Sequence, residues 1–88
     1  MHAVVVSVTV KNGEAATRFL RDELVPRVSQ APGFVAGYWV RLEADQGRST
    51  IVFESEDAAR AVADQVAAPP GGVATIDSVD VGEVVANA

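Results

Sequence analysis

Apolar positions along the chain switch between two spacings, every second residue and every third or fourth, and the switches divide it into elements. From Ala3 to Val10 a run of valines is interrupted only by Ser7 and Thr9, and β-branched residues of this kind favour a strand. Val4, Val6, Val8 and Val10 form a uniformly apolar face, while Val5, Ser7 and Thr9 form a mixed one. Lys11-Asn12-Gly13 reads as a turn, with Asn12 placed to cap the next element or to shape the turn. Glu14 to Gln30 then carries Ala16, Leu20, Leu24 and Val28 four apart, with Phe19 beside them, which predicts an amphipathic helix. Arg18, Arg21, Asp22 and Arg27 fall off this stripe and belong in water. Pro26 lies inside the pattern, where a proline removes a backbone hydrogen bond and clashes with the preceding turn at a cost of ~3 kcal/mol or more. The spacing therefore predicts a kink or loosened turn between Asp22 and Pro26, or a helix that restarts with Pro26 in its first turn.

Pro32 and Gly33 end the helix and force a change of direction before Phe34. Gly33 to Glu43 reads as a second strand, Ala44-Asp45-Gln46-Gly47 as a turn, and Arg48 to Glu54 as a third strand, so these two form an antiparallel hairpin. Ser55 is placed to cap a second helix, with Glu56 and Asp57 on the positive end of its dipole. That helix is predicted to run to about Ala67, with a stripe of small residues, Ala58 or Ala59, Val62 and Val66, facing inward, before Pro69-Pro70-Gly71-Gly72 stops it. In the last extended stretch, Val73 to Val85, the apolar alternation moves from Ala74 and Ile76 to Val79 and Val81, which predicts a bulge or bend near Asp77-Ser78. The length of this stretch predicts that Val79 to Val85 pairs outside the ladder of the first half.

The order β, α, β, β, α, β is the split arrangement of the ferredoxin-like α+β fold, a four-stranded antiparallel sheet with both helices on one face and the other face bare. Strict alternation puts Phe34, Tyr38, Val40, Leu42, Ile51 and Phe53 with the helices. It leaves Ser7, Thr9, Val35, Trp39, Arg41, Thr50 and Val52, with Thr75 and Asp77, for the bare face. From that set Trp39, Arg41, Ser7 and Thr50 are the candidate ligand-binding residues: an aromatic surface, a cation and two hydroxyls among apolar neighbours suit a small-molecule site. Each has a plainer role as well. Trp39 can fill an interface, and Arg41 can pair with Asp77 or with a carboxylate of a partner chain.

Composition narrows the classes of function. The 88 residues suffice for one domain, taken as 1–88, and leave much of its surface in water, so a partner chain would help. Seven basic against twelve acidic residues give a net charge of −5, which repels nucleic acid and anionic membranes. With no cysteine and a single histidine, disulfides, thiolate chemistry and histidine metal clusters have no ligands to build on. His2 reads as a frayed or edge-strand residue rather than a general base, and the carboxylates Glu54, Glu56 and Asp57 are where a helix start wants them. Met1 to Val6 is too short an apolar run for a signal peptide and no run is long enough to cross a bilayer, so a soluble, cytoplasmic protein is expected.

Leu24-Val25-Pro26-Arg27, Ala31-Pro32-Gly33-Phe34 and Val52-Phe53-Glu54-Ser55-Glu56-Asp57-Ala58 resemble the dimeric α/β-barrel proteins, in particular the antibiotic-biosynthesis-monooxygenase-like group. The resemblance implies a homodimer with two sheets face to face, the last strand reaching the partner, and a small aromatic or apolar molecule bound or oxidised, without a cofactor, between the sheets. Two positions depart from the group: Phe53 stands where a tryptophan is common, and Glu56 to Ala67 lacks the histidine of haem-degrading relatives, so no haem ligand is expected. No residue is singled out as catalytic, and if the chain is an enzyme it is a monooxygenase-like one. The alternative is a structural or accessory dimer of the same fold without turnover.

Overall fold

Strand β1 (His2–Val10) lies in the middle of a four-stranded antiparallel sheet of order β2-β3-β1-β4, with β2 (Phe34–Arg41) and β4 (Ala74–Glu83) at the edges and β3 (Gln46–Phe53) inside. The computed structural model describes residues 1–88. Helices α1 (Gly13–Phe19) and α2 (Val25–Ser29) are joined by a π-helical turn, Leu20–Leu24, and α3 (Glu56–Ala63) follows β3. A short 3₁₀ turn at Pro70–Gly72 leads into β4. This is the ferredoxin-like α+β arrangement expected from the element order.

Both capping residues do what their side chains allow. Asn12 Oδ1 accepts from the Ala15 amide at 3.1 Å, and Ser55 Oγ accepts from the Ala58 amide at 3.1 Å. The proline in the first helix is accommodated by the π turn, in which the Val25 N–H donates to the Leu20 carbonyl, five residues back. The widened turn ends just before Pro26, which becomes the second residue of α2, so the loosened turn and the restarted helix are one feature.

The helix α3 ends at Ala63, short of Ala67, because the Gln65 and Val66 amides turn back to Val62 and Ala63 in the tighter i→i+3 pattern. The hairpin between β2 and β3 turns at Ala44 and Asp45, both left-handed with φ of 58° and 61°. The Gln46 N–H closes that turn onto the Glu43 carbonyl at 3.3 Å.

The core lies between the sheet and the helices. Val4 and Phe53 are 0% exposed, Val6 and Ile51 nearly so, and Ala59 of α3 and Val28 of α2 close over them. Phe34 meets Phe53 edge to face with ring centroids 6.1 Å apart. Gly33, at φ +80°, sets the approach: a Cβ there would stand 3.0 Å from that of Ala58.

Two bulges govern which residues share a face. On β4, Ser7 pairs with Ser78 but Val8 pairs with Ile76, so Asp77 is an extra residue, as the shift in alternation predicted. On β2, Phe34 pairs with Phe53 and Ala36 with Val52, so Val35 is extra, and this bulge reverses the parity expected for the rest of the strand. Trp39 pairs with Ser49 and Arg41 with Gly47, on the helix face. Tyr38 and Val40, expected in the core, are 65% and 51% exposed on the open face, and Leu42 is also exposed. A further expectation fails at β4, where both halves from Ala74 to Glu83 pair with β1 in one ladder, broken only by the bulge. His2 is neither frayed nor at an edge: it is flanked by Phe53 and Glu83 in the two ladders of β1. No helix is long and apolar enough to cross a membrane.

Candidate functional site

The helix α3 packs on β1, β3 and β4 and α2 on β2, whereas α1 and the π turn stand further from the sheet. The space left beneath them is a cavity of about 700 Å³ on the helix face. Its floor exists because the sheet places small residues there: Gly47 and Ser49 of β3 occupy positions where the alternation with Ile51 and Phe53 calls for large apolar side chains. Phe19, Leu20 and Leu24 form the helical wall, and Val66 with Pro69, in the segment after α3, closes one side. The lining is mainly apolar, with few polar groups, the pattern of small-molecule sites.

Trp39 and Arg41 both line this cavity, two residues apart on the same face of β2. The indole of Trp39 is half-buried. Arg41 spans from the edge strand to the first helix, where its Nη2 donates to the Gly13 carbonyl at 3.0 Å and to Thr17 Oγ1 at 3.2 Å. It does not pair with Asp77, whose Oδ2 accepts from Thr9 Oγ1 at 2.7 Å. Ser7 and Thr50 lie on the open face, Ser7 opposite Arg48 and Thr50 opposite Val5 and Tyr38. The four candidate residues are thus split: Trp39 and Arg41 belong to the cavity under the helices, Ser7 and Thr50 to the other side of the sheet.

Alternation alone did not reveal Ser49, Thr17, Glu23 or Arg27, which the cavity gains from β3 and the helical wall along with Arg48. Ser49 carried a readable signal, a small polar residue two before Ile51 on the core parity. Glu23 sits in the π turn and Arg27 in α2, at the far end of the helical wall from Thr17.

The open face has its own polar chain at one end. Arg48 Nη1 donates to the Gly47 carbonyl at 2.9 Å and to Gln46 Oε1 at 3.5 Å, and Gln46 Nε2 donates to Thr9 Oγ1 at 3.4 Å. Elsewhere that face shows Val5, Tyr38, Val40 and Leu42 to solvent. Outside the cavity, Glu56 is held below the ordinary glutamate range by its hydrogen bonds from Arg60, 2.7 Å at Nη2 and 3.0 Å at Nε, and by the guanidinium charge. His2, Glu56 and Glu83, which meet at the start of β1, form no metal-binding cluster, and His2 Nδ1 is buried without a hydrogen-bond partner.

No model of a protein family matches the sequence, and neither does any curated relative. Among solved structures, the chain is similar to the haem degrader MhuD from Mycobacterium tuberculosis, determined with two haems bound in its active site. The two share 22% identity and a TM-score of 0.70 over 100% of this chain and 99% of that one. The likeness is one of fold: the chain shares with that protein the ferredoxin-like arrangement of a four-stranded antiparallel sheet with helices on one face. The side chains of its cavity do not fit a haem held through its iron. Haem iron is bound by imidazole, thiolate, thioether or phenolate groups, and His2, Met1 and Tyr38 all lie outside the cavity of a chain without cysteine.

Proposed function

We propose that the chain binds a small, planar, largely apolar molecule in the cavity between the first helix and the sheet, with Trp39 as one wall. The observation that carries this reading is the cavity itself, about 700 Å³ of mainly apolar lining with an indole and a guanidinium on one strand face. Binding there needs no partner chain, so the site is the helix-face cavity of one protomer rather than a space between two sheets. Any oxidation of the bound molecule would use dioxygen as the co-reactant, with the pocket orienting a substrate reactive enough to meet it.

Trp39 is the only tryptophan, so its emission reports on the cavity alone. Titration with aromatic compounds of increasing ring number should change that emission saturably for a size class that fits. Oxygen uptake with the compounds that bind then tests turnover. A tryptophan emission unchanged across the whole series overturns the reading.

The open face favours a second element of the proposal, a homodimer. Val5, Tyr38, Val40 and Leu42 expose apolar surface on a sheet whose other face is covered, and burying it against a second copy removes that surface from water. Such a dimer without turnover is the structural alternative. Light scattering should give the mass of two chains for the wild type and of one for Tyr38→Glu; a wild-type monomer at micromolar concentration ends the dimer proposal.

A further inference from the structure

Arg41 is placed for more than holding the first helix. Its Nη2 is engaged by Gly13 and Thr17, but its Nε–H and Nη1–H groups donate to no protein atom. The ion pairs of the chain are Glu14 with Arg18 and Glu56 with Arg60, so no carboxylate neutralises Arg41. The exposed side chain lies directly over the start of the first helix, where only a residue without a Cβ leaves room for it: a methyl group on Gly13 would come within 2.5 Å of Nη1. A guanidinium that is oriented, uncompensated and beside an apolar cavity is a ready receptor for an anion. Trp39 stands two residues away on the same face, about 7 Å along the strand, within the span of a ring system and its substituent.

We infer that the ligand of the cavity is an aromatic carboxylic acid, its rings against Trp39 and its carboxylate on the free donors of Arg41. The inference rests on the proposed cavity reading and names the ligand's class. A monoanion fits where a phosphate does not. Of the other arginines in the lining, Arg27 lies ten residues beyond Thr17, roughly 15 Å along a helix, too far to share one anionic group, and Arg48 falls on the opposite parity of β3 and turns its Nη1 to the Gly47 carbonyl and Gln46 Oε1. Glu23 is the only acid in the lining, and the chain carries a net charge of −5, both of which disfavour a dianion.

The test compares naphthalene-2-carboxylic, anthracene-9-carboxylic and pyrene-1-carboxylic acids with their neutral carboxamides. Binding is followed by Trp39 emission and by the NMR shift of the Arg41 Nε–H. The acid of a fitting pair should bind the wild type about fivefold to tenfold tighter than its amide, shift the Nε–H resonance, and lose part of its advantage in 0.5 M salt. In Arg41→Gln the ratio of acid to amide affinity should fall to about one, and Arg41→Lys should keep part of the preference. Equal binding of acid and amide to the wild type overturns the inference while leaving the cavity reading intact, as does a preference that survives in Arg41→Gln. If neither member of any pair binds, the cavity reading fails and takes the inference with it. The comparison on the wild type needs no variant, so a poorly folded Arg41→Gln does not weaken the test.

Discussion

The indole of Trp39 lies across Gly37, so that a methyl group built on Gly37 would stand 2.8 Å from Trp39 Cη2 and 2.9 Å from Cζ3. The glycine is thus the seat of the aromatic wall, on the same face of the same edge strand. Gly37→Ala should push the ring off this seat. The expected outcome is a shifted tryptophan emission maximum and at least fivefold weaker binding of any cavity ligand, with stability changed by less than about 1.5 kcal/mol because alanine loses less backbone freedom in a strand than glycine. An unchanged emission spectrum would show that the ring does not depend on Gly37.

Phe53 is fully buried and packs edge to face on Phe34. Phe53→Ala removes the largest side chain of the core and should cost about 3–5 kcal/mol, enough to unfold much of a domain this small at room temperature. Phe53→Leu should retain a cooperative transition at a lower midpoint. Urea denaturation followed by far-UV circular dichroism separates the two.

Ala44 holds a left-handed backbone at φ 58°, a conformation in which its Cβ crowds the following carbonyl. Ala44→Gly or Ala44→Asn relieves that crowding, and each should stabilise the fold by about 0.5–1 kcal/mol, a few degrees in melting temperature. Ala44→Val should do the opposite. Thermal melts of the three variants check the order.

Glu56 titrates below its ordinary value of 4.5 because Arg60 holds its ionised form. A carboxylate whose pKa is lower folded than unfolded stabilises the fold above the unfolded value and loses that contribution as pH falls through the folded one. Glu56→Gln should therefore melt lower than the wild type at pH 7, and the difference should shrink below pH 4.5. The pair is exposed, so the effect is small and should fade in high salt. Melting curves from pH 7 to pH 3 at two salt concentrations test this.

How far the sequence disclosed this arrangement depends on the contrast between neighbouring residues. The bulge at Asp77 is legible because apolar and polar residues alternate cleanly on both sides of it, so Ile76 and Val79 visibly change parity. The bulge at Val35 is not, because Phe34-Val35-Ala36-Gly37-Tyr38-Trp39-Val40 is apolar or small at both parities and either assignment buries an aromatic. That one hidden residue put Trp39 and Arg41 on the wrong face while leaving the element order untouched. The loosened turn before Pro26 is dictated by the chemistry of proline alone. The gap beneath α1 is not legible in this way, since it depends on how far a helix stands from its sheet, a distance that no local pattern encodes.

Both unpaired borders of the sheet carry a bulge, Val35 on β2 and Asp77 on β4. A bulged strand bends and twists, and so offers a newcomer no straight, uninterrupted row of amides and carbonyls. On β4 the residues Asp77, Asp80 and Glu83 add like charge along the same border. For a chain this rich in valine the consequence is colloidal: the sheet resists growing edge to edge into fibrils.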